Sequence, residues 1–376
     1  MPSIKKIKMD PLSLPVDIKI QRRKITDLTR DDFIQWISEH GEKPFRANQI
    51  FQWVYLHKIK EWDEMQNVSK KIRQKLANEF SLETIPIIEK TVAPDGTIKF
   101  LQELKDGHKI ESVLLKQEDR YTVCISTQVG CAMACKFCLT ATMGFKRNLT
   151  PGEIVDQVLN AHSLMPQEKQ LRNIVYMGMG EPFNNYDNTI QSLKIFLDSH
   201  GFAFSSRRIT VSTSGVIPGI IKFGQEKDIK VNLAISLNGV TQETRKQLMP
   251  ISKKHSLPEL LKACADFPLG KRQRITFEYI LIKDVTDSID TAKKLVKILH
   301  GVKSKVNLIP YNENPDLEFK SPSKEQIKRF HQYLLDHGII ATMRVSRGQG
   351  ISAACGQLAV KNKTDTLTLL TKHPSL

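Results

Sequence analysis

Three stretches near the start of the chain carry apolar residues at helical spacing: DDFIQWISEH (31–40), FRANQIFQWVYLHK (45–58) and SKKIRQKLANEF (69–80). Apolar residues three or four positions apart predict amphipathic helices. Thr29 can cap the first helix and Gly41 can end it, while Ser69 can open the third. We therefore expect a small basic helical unit over residues 25–90, after a basic, proline-containing arm at 1–24.

The apolar spacing changes to two in the next part of the chain. The segments GTIKFLQEL, HKIESVLLK and RYTVCIS alternate or contain β-branched runs, which is typical of strands. Asp95-Gly96 and Asp106-Gly107 supply turns between them. This pattern predicts a β-rich linker over residues 91–120 that extends the core that follows.

Strand and helix patterns then alternate as far as residue 346. Six helical stretches separate seven strand segments: TVCIS, RNIVYM, RRITVST, VNLAISL, RITFEYILI, KVNLIPY and IATMRVS. Such alternation is typical of a parallel sheet with right-handed crossovers. The predicted fold class is α/β, with a partial (β/α)6 barrel over residues 121–358 and the helical unit as a small N-terminal accessory domain. A flat doubly wound sheet is the alternative. The polar tail at 359–376 shows no helical period.

The charge of the chain narrows its class of partner. Its 376 residues carry a formal net charge of +16. An excess of this size favours a polyanion, most often nucleic acid, because basic side chains neutralise phosphates. The alternative is a basic surface that only serves solubility. No apolar run reaches the roughly 18 residues of a membrane span, and no secretory signal is visible at the start. We therefore expect a cytoplasmic protein with no membrane partner.

Three cysteines lie close together, namely Cys131, Cys135 and Cys138, directly after the first predicted barrel strand. In such folds ligands bind beyond the carboxyl ends of the strands. Three thiolates can hold three irons of a [4Fe-4S] cluster and leave the fourth iron open. Two alternatives are a zinc site with a distant fourth ligand, and structural cysteines on one face of a helix. The flanking Gly130 and Gly144 favour a loop.

Polar residues and glycines follow four other predicted strands. They are Gly180 and Glu181 in MGMGEP, Ser212 in STSG, Ser236, Leu237 and Asn238 in SLN, and Asn312 after VNLIPY. Glycine lets the backbone approach a ligand, and Glu181 can accept from a ligand ammonium group. Each segment alone can equally be a strand-to-helix turn. Because the strand ends meet at one rim, together they predict a ligand site.

Four further residues are less specific. Cys355 lies among small residues after the Arg- and Gly-rich stretch 344–350, which fits either an accessible loop or a small buried residue. Cys124 in a strand and Cys264 in a helical stretch are typical of a core. Glu111 lies in an otherwise apolar strand, and the pattern alone favours its solvent-facing side.

Together these residues resemble the radical S-adenosylmethionine (SAM) adenine C2-methyltransferases of the RlmN type. The resemblance extends from the helical unit to Cys355 and depends on the motifs CAMACKFC, GMGEP, VSTSG, ISLN followed by LMPI, and AACGQL. The last motif is the most specific, because most radical SAM proteins lack a second reactive cysteine there.

The resemblance implies a role for each site residue. Cys131, Cys135 and Cys138 would hold a [4Fe-4S] cluster whose open iron binds the amino and carboxylate groups of SAM. Contacts to SAM would come from Gly180, Glu181, Ser212, Ser236, Leu237, Asn238 and Asn312.

The resemblance also implies a methyl carrier. Cys355 would take a methyl group from one SAM, and a second SAM would be cleaved to a 5′-deoxyadenosyl radical, so that two are used per turnover. The carbon on Cys355 would add to adenine C2, and Cys124 would resolve the adduct through a transient disulfide. Glu111 would be the proton acceptor, which reverses the assignment from its pattern. Both carrier cysteines are expected at accessible positions with lowered thiol pKa values.

The implied substrates are an adenine of 23S rRNA and adenine 37 of tRNAs, with a reducing electron donor such as flavodoxin, and we expect a monomer. Three other functions stay open. They are a related adenine C8-methyltransferase that confers antibiotic resistance, a zinc-binding RNA-binding module without catalysis, and a radical SAM enzyme acting on a small metabolite. Pro182 and the stretch 344–350 favour the C2 group.

Overall fold

The computed structural model describes residues 22–118, 120–344 and 347–360. Three helices form near its start: α1 (Arg30–Glu39), α2 (Phe45–Phe51) and α3 (Lys70–Glu79). A π-helical segment, Gln52–His57, continues α2. Two short parallel strands, β1 (Arg23–Lys24) and β2 (Phe80–Ser81), join the two ends of this helical unit. Residues 1–21 of the predicted arm and 361–376 of the predicted tail lie outside the described residues.

Local sequence explains where these helices begin. The Thr29 side chain accepts from the Asp32 backbone N–H, and the Asp32 carboxylate accepts from the Thr29 N–H, which forms a capping box for α1. The Ser69 hydroxyl accepts from the Ile72 N–H and caps α3. Both caps are on residues that the sequence predicts.

Ten strands form the central sheet, and a separate two-stranded hairpin precedes the main run of helices. The strands of the sheet are β3 (Ile87–Val92), β4 (Ile98–Glu103), β5 (Lys109–Gln117), β6 (Arg120–Cys124), β9 (Leu171–Tyr176), β10 (Ile209–Thr213), β11 (Asn232–Ser236), β12 (Ile275–Leu281), β13 (Ser304–Pro310) and β14 (Ala341–Met343). The hairpin consists of β7 (Gln128–Gly130) and β8 (Phe145–Asn148).

The order of the strands identifies the architecture. From one edge, the sheet runs β14-β13-β12-β11-β10-β9-β6-β5-β4-β3. All strands from β14 to β6 are parallel, whereas β5, β4 and β3 continue the sheet as an antiparallel meander. The parallel strands keep their chain order without the reversal that a doubly wound sheet requires. This order excludes that alternative and agrees with a partial barrel extended by three strands.

Eight helices follow β6 in the described residues, seven of them in crossovers between parallel strands and α4 between the two strands of the hairpin. They are α4 (Leu139–Thr142), α5 (Pro151–Ser163), α6 (Tyr186–Leu197), α7 (Ile217–Gln225), α8 (Gln242–Leu248), α9 (Leu257–Ala265), α10 (Ile289–Leu299) and α11 (Lys324–Asp336). Short 3-10 turns lie at Ile25–Asp27, Trp62–Glu64, Pro182–Asn185, Ser206–Arg208, Pro250–Lys253 and Gln349–Ile351. The sequence pattern predicts a helix in every crossover, but it misses α4, α8 and the β7–β8 hairpin. It also misses β3, which begins at Ile87, so the β-rich part starts inside the predicted helical unit 25–90. Within the described residues, no helix is long and apolar enough to cross a membrane.

A buried carboxylate attaches the helical unit to the core. Asp156 of α5 is fully buried and pairs with Lys24 Nζ at 2.5 Å. Its other oxygen accepts from Thr26 Oγ1 at 2.9 Å, and the Ile85 N–H donates at 3.1 Å. Removing one partner of such a buried network leaves an uncompensated group, so the network holds the unit in one orientation.

Candidate functional site

The cysteine loop begins at a backbone crossing in the β7–β8 hairpin. Gly130 has φ +72°, and a Cβ at this position would lie 1.7 Å from the Gly144 carbonyl oxygen. The Cys131 N–H donates to that same oxygen at 3.0 Å. Only glycine permits this approach, which fixes where the loop leaves the hairpin.

Residues 131–138 form turns rather than a helix. The Cys138 N–H donates to the Cys135 oxygen at 3.2 Å, and the Lys136 N–H donates to the Leu248 oxygen at 3.0 Å. All three cysteines of the loop are free and partly exposed. The alternative of structural cysteines on a helical face is therefore wrong.

The chemistry of this loop fits an iron–sulfur cluster. Burial raises the pKa of the Cys131 thiol to about 12 and also raises the pKa values of Cys135 and Cys138. Such thiols become thiolates when a metal binds them. Across the described ranges, no three His, Cys, Asp or Glu side chains are grouped to hold a single metal ion. Three thiolates can bind three irons of a cubane cluster and leave the fourth iron open for a ligand.

A cavity of about 160 Å³ lies beside the loop, at the carboxyl ends of β9 to β13. Its walls include the three loop cysteines together with Gly180, Glu181, Ser212, Ser236 and Asn238. The structure thus brings together eight of the residues that the sequence assigns to the cluster and to SAM. Side chains from five neighbouring strand ends face one space, as in a sheet curved around its ligand.

Glu181 is buried in the wall of this cavity. Its Oε2 accepts from the Ser214 N–H and from Ser214 Oγ, both at 2.7 Å, and its Oε1 accepts from the Phe183 N–H at 3.1 Å. Burial raises the pKa of this carboxyl, and the bonds from Ser214 lower it. These donors fix the direction of the carboxylate, as a group that orients a ligand ammonium requires.

Two of the predicted SAM residues lie elsewhere. The Leu237 side chain is fully buried, and its backbone N–H donates to the Glu278 oxygen at 3.0 Å. Asn312 lines a second cavity, where its Nδ2 donates to the Cys355 oxygen at 3.2 Å. Leu237 therefore holds the strand end in place, and Asn312 holds the Cys355 loop.

The second cavity has a volume of about 400 Å³ and adjoins the first. Cys124 lies in its wall, and Cys355 lies in the walls of both cavities. Cys124 and Cys355 are 231 residues apart in sequence, yet the fold places them at one space. Two sulfur groups in one cavity are what a carrier and a resolving cysteine need.

The expected low thiol pKa is wrong for Cys124. Its side chain is buried, and burial raises its pKa to about 12, with a further rise from the charge of Cys355. The thiol form therefore predominates at neutral pH, and a base is needed before this sulfur can attack.

Arg344 is a site residue that the sequence indicated only as part of a basic stretch. It follows β14 and lies in the walls of both cavities. Its pKa is raised chiefly by the charge of Cys355, followed by the effect of Glu278. Its Nη1 is 3.8 Å from Met177 Sδ. A guanidinium thus lies at the junction of the two cavities, and no spacing in the sequence could have predicted it.

The solvent-facing assignment of Glu111 is wrong. Glu111 is buried, with Oε1 2.9 Å from Lys99 Nζ, and its Oε2 accepts from the Ala359 N–H at 3.0 Å. Burial raises its pKa, while Lys99 lowers it. Glu111 lines a separate cavity that does not include Cys355. Cys264 is buried in α9, as expected of a core residue.

Two known families match this chain, one over the helical unit and the other over most of the barrel. Residues 24–82 match the family described as "Ribosomal RNA large subunit methyltransferase N-terminal domain", and residues 125–296 match the "Radical SAM superfamily". The fold resembles a radical SAM methyltransferase from Sphaerobacter thermophilus, with a TM-score of 0.84 and 43% identity over 89% of this chain and 99% of that one.

Relatives extend the likeness over nearly the whole length. The chain is 48% identical to the dual-specificity RNA methyltransferase RlmN of Desulfosudis oleivorans, over 91% of this chain and 92% of the relative. It is 46% identical to the protein of the same name from Nitratiruptor sp., over 92% of this chain and 100% of the relative. Radical SAM enzymes use a [4Fe-4S] cluster together with SAM, and the cysteine loop and the polar strand ends beside it are the residues that would hold them. With its helical unit and part of its barrel matched by family models, and with relatives 48% and 46% identical over 91% and 92% of its length, the chain belongs to the RlmN family of radical SAM enzymes.

Proposed function

We propose that this protein methylates C2 of an adenine in 23S rRNA and in tRNA, with Cys355 as the carrier of the transferred carbon. One observation carries the proposal: Cys355 lies in the wall of the cluster and SAM cavity and also in the wall of the cavity that contains Cys124. A carrier has to face its methyl donor on one side and its acceptor on the other.

The first cavity would bind the cofactors. When bound, the cluster and SAM supply the one-electron chemistry that breaks an unactivated C–H bond. Cys131, Cys135 and Cys138 would hold the cluster, while Glu181 would orient the SAM ammonium group. Gly180, Ser212, Ser236 and Asn238 would line the path of the rest of SAM.

Cys355 would act twice in each turnover, which requires two SAM molecules. Its sulfur first forms a bond to the SAM methyl carbon as the sulfonium–carbon bond breaks. One hydrogen atom of this S-methyl group would then pass to the bound cofactors, its carbon would bond to adenine C2, and the adduct would return one electron to the cofactors and lose the C2 proton. The Cys124 sulfur would attack the Cys355 sulfur, so that a disulfide forms as the Cys355 sulfur–carbon bond breaks, and the released carbon takes the electron pair and a proton to become the methyl group. Glu111, whose pKa burial raises, would accept the proton lost from C2, and it is joined to the Cys355 segment through the Ala359 N–H.

The second cavity has the dimensions of a nucleotide site. Its volume of about 400 Å³ falls within the range of small-molecule pockets, about 300–1,000 Å³. A base in a folded RNA reaches such a cavity only after it leaves its stack. The net charge of +16 supplies the attraction to phosphate that holds the RNA meanwhile. We further propose a cytoplasmic monomer, reduced by a donor such as flavodoxin.

Expression in a bacterial strain that lacks its own adenine C2-methyltransferase tests this function. Mass spectrometry of 23S rRNA and tRNA nucleosides should show 2-methyladenosine with the wild-type protein and none with Cys355→Ala. Cys264→Ala, which changes a buried core cysteine, should act like the wild type. An unmodified RNA, or 8-methyladenosine in its place, would contradict the proposal.

A further inference from the structure

Arg245 is the largest fully buried side chain in the described part of the protein. It lies on α8, a helix that the hydrophobic pattern does not reveal. Arginine almost never lies fully buried unless its donors are satisfied. The groups that the guanidinium binds therefore explain its buried position.

Arg245 binds the carboxyl ends of two neighbouring strands. Its Nη2 donates to the Ser214 oxygen at 2.7 Å and to the Ser236 oxygen at 3.3 Å, and its Nε donates to the Leu237 oxygen at 3.1 Å. Its Nη1 donates to Ser252 Oγ at 2.6 Å. These carbonyls follow β10 and β11, whose ends line the cavity beside the cysteine loop.

The neighbouring backbone leaves room for this side chain. A Cβ on Gly215 would lie 2.8 Å from Arg245 Nη2, and a Cβ on Gly239 would lie 3.0 Å from the Arg245 backbone nitrogen. Gly215 directly follows Ser214, and Gly239 directly follows Asn238; both of these preceding residues line the cavity. The chain thus keeps small residues where larger ones would displace the guanidinium.

The helix that carries Arg245 also holds the cysteine loop. At its carboxyl end, the Leu248 oxygen accepts from the Lys136 N–H at 3.0 Å, between Cys135 and Cys138. The next residue, Met249, lines the cavity and is 3.6 Å from Asn238 Nδ2. One short helix therefore connects the cysteine loop with the two strand ends.

Among the residues that the structure describes, the hydrogen-bond acceptors of Arg245 are three carbonyls and one hydroxyl, with no carboxylate. Burial lowers its pKa to about 10, and the ionised thiol of Cys135 would raise it again. The guanidinium is thus cationic at neutral pH, beside a cysteine loop that becomes anionic when its thiols bind metal. A buried charge is tolerated where such compensation exists.

We propose that Arg245 is a positioning residue that fixes the ends of β10 and β11 relative to the cysteine loop, and so sets where SAM lies against the cluster. This inference rests on the proposed function of the cavity as a SAM site. It assigns no contact between Arg245 and SAM, since the guanidinium donors face protein carbonyls.

Two substitutions of Arg245 and one of its partner test the proposal. Arg245→Gln removes the charge and the forked donors, whereas Arg245→Lys keeps the charge but not the fork. Ser252→Ala removes one acceptor and leaves the guanidinium in place, so it remains informative if the arginine variants fold poorly. Phe330→Leu, on the buried face of α11 where its ring stacks on Tyr279 of β12, is the control for lost stability away from the ends of β10 and β11.

The readouts are iron content, SAM affinity by equilibrium dialysis, and the electron paramagnetic resonance spectrum of the reduced cluster with and without SAM. We expect Arg245→Gln to keep most of its iron while its SAM Kd rises about tenfold and its spectrum no longer responds to SAM. Arg245→Lys should fall between Arg245→Gln and the wild type, and Ser252→Ala should raise Kd about threefold. Phe330→Leu should lower the melting temperature and leave SAM affinity unchanged.

A wild-type SAM affinity and spectral response in Arg245→Gln and Ser252→Ala would overturn the positioning role. Equal loss of SAM affinity in Phe330→Leu would do so too, because the effect would then follow stability alone. These readouts do not use RNA. If the wild type responds to SAM but leaves RNA unmethylated, only the proposed RNA function fails; if the wild type holds no cluster, both fail.

Discussion

The bond between Ser214 and Glu181 gives a prediction whose size follows from the structure. In Ser214→Ala, the carboxylate loses the Oγ donor at 2.7 Å but keeps the backbone donors from Ser214 and Phe183. A hydrogen bond to a buried charged group contributes about 1.5–3 kcal/mol. We expect the free energy of unfolding of the apo protein to fall by about 2 kcal/mol at pH 8.

Ser192→Ala is the matched control. Ser192 is also buried, but its partners are neutral, namely the Tyr176 hydroxyl at 2.7 Å and the Thr189 carbonyl at 2.8 Å. Neutral bonds contribute about 0.5–1.5 kcal/mol each, so losing both should cost about 1–3 kcal/mol, a deficit similar to that of Ser214→Ala. The two variants should therefore differ in how their deficits depend on pH. Urea unfolding should be followed by circular dichroism, because Trp36, Trp53 and Trp62 all lie in the helical unit.

The effect of Ser214→Ala depends on pH. Burial raises the folded-state pKa of Glu181, so this group stabilises the fold at low pH and loses that contribution as pH rises through the folded pKa. The Ser214 bond offsets the loss by stabilising the ionised form. The deficit of Ser214→Ala should therefore shrink as pH falls through the folded pKa, while that of Ser192→Ala stays constant. A deficit of Ser214→Ala that stays constant with pH, as that of Ser192→Ala should, or one that grows at low pH, would refute the reasoning.

Three other changes have defined outcomes. Gly130→Ala, whose Cβ would meet the Gly144 oxygen, should lose most of the iron from the purified protein. Gly144→Ala shares the positive-φ strain, with φ +65° against +72° at Gly130, but has open space at its Cβ, so it should keep clearly more iron. Equal iron contents would contradict the role of the backbone crossing in the hairpin. Cys124→Ala should accumulate an RNA–protein adduct, visible as a ribonuclease-sensitive slow band on a denaturing gel, and Cys264→Ala should not. Arg147→Met should cost about 1 kcal/mol at pH 7, because Arg147 pairs with Asp106 and Glu153 in a partly exposed site. Since Arg147 lowers the pKa of Asp106, urea unfolding should show that this difference disappears below about pH 4 and persists above it.

The sequence predicts most of the fold because most elements have regular apolar spacing. It misses α8 because the buried positions of that helix are Arg245 and Leu248, so half of its buried face is a cation. It misses the β7–β8 hairpin because FKRN of β8 has one apolar residue, which is exposed. Periodicity detects burial of apolar groups and cannot detect buried polar networks.

Some site residues can be predicted from the sequence, whereas others depend on contacts that it does not reveal. The loop cysteines and the polar strand ends are visible in sequence because each follows a strand, and the topology brings strand ends together. The burial of Glu111 and the placement of Arg344 depend on residues that are distant in sequence or lie on other strands. Glu111 is buried because Lys99 of β4 and the backbone of Ala359 satisfy its carboxylate, which no local pattern encodes.

The central claim is that the carbon on Cys355 becomes the methyl group of adenine C2. Protein methylated at Cys355 with carbon-13 can be mixed with target RNA, unlabelled SAM and a reductant for a single turnover. Mass spectrometry of the nucleosides should then find 2-methyladenosine that carries the carbon-13. Unlabelled 2-methyladenosine would show that the carbon bypasses Cys355, and the label at adenine C8 would contradict the assignment of the reaction.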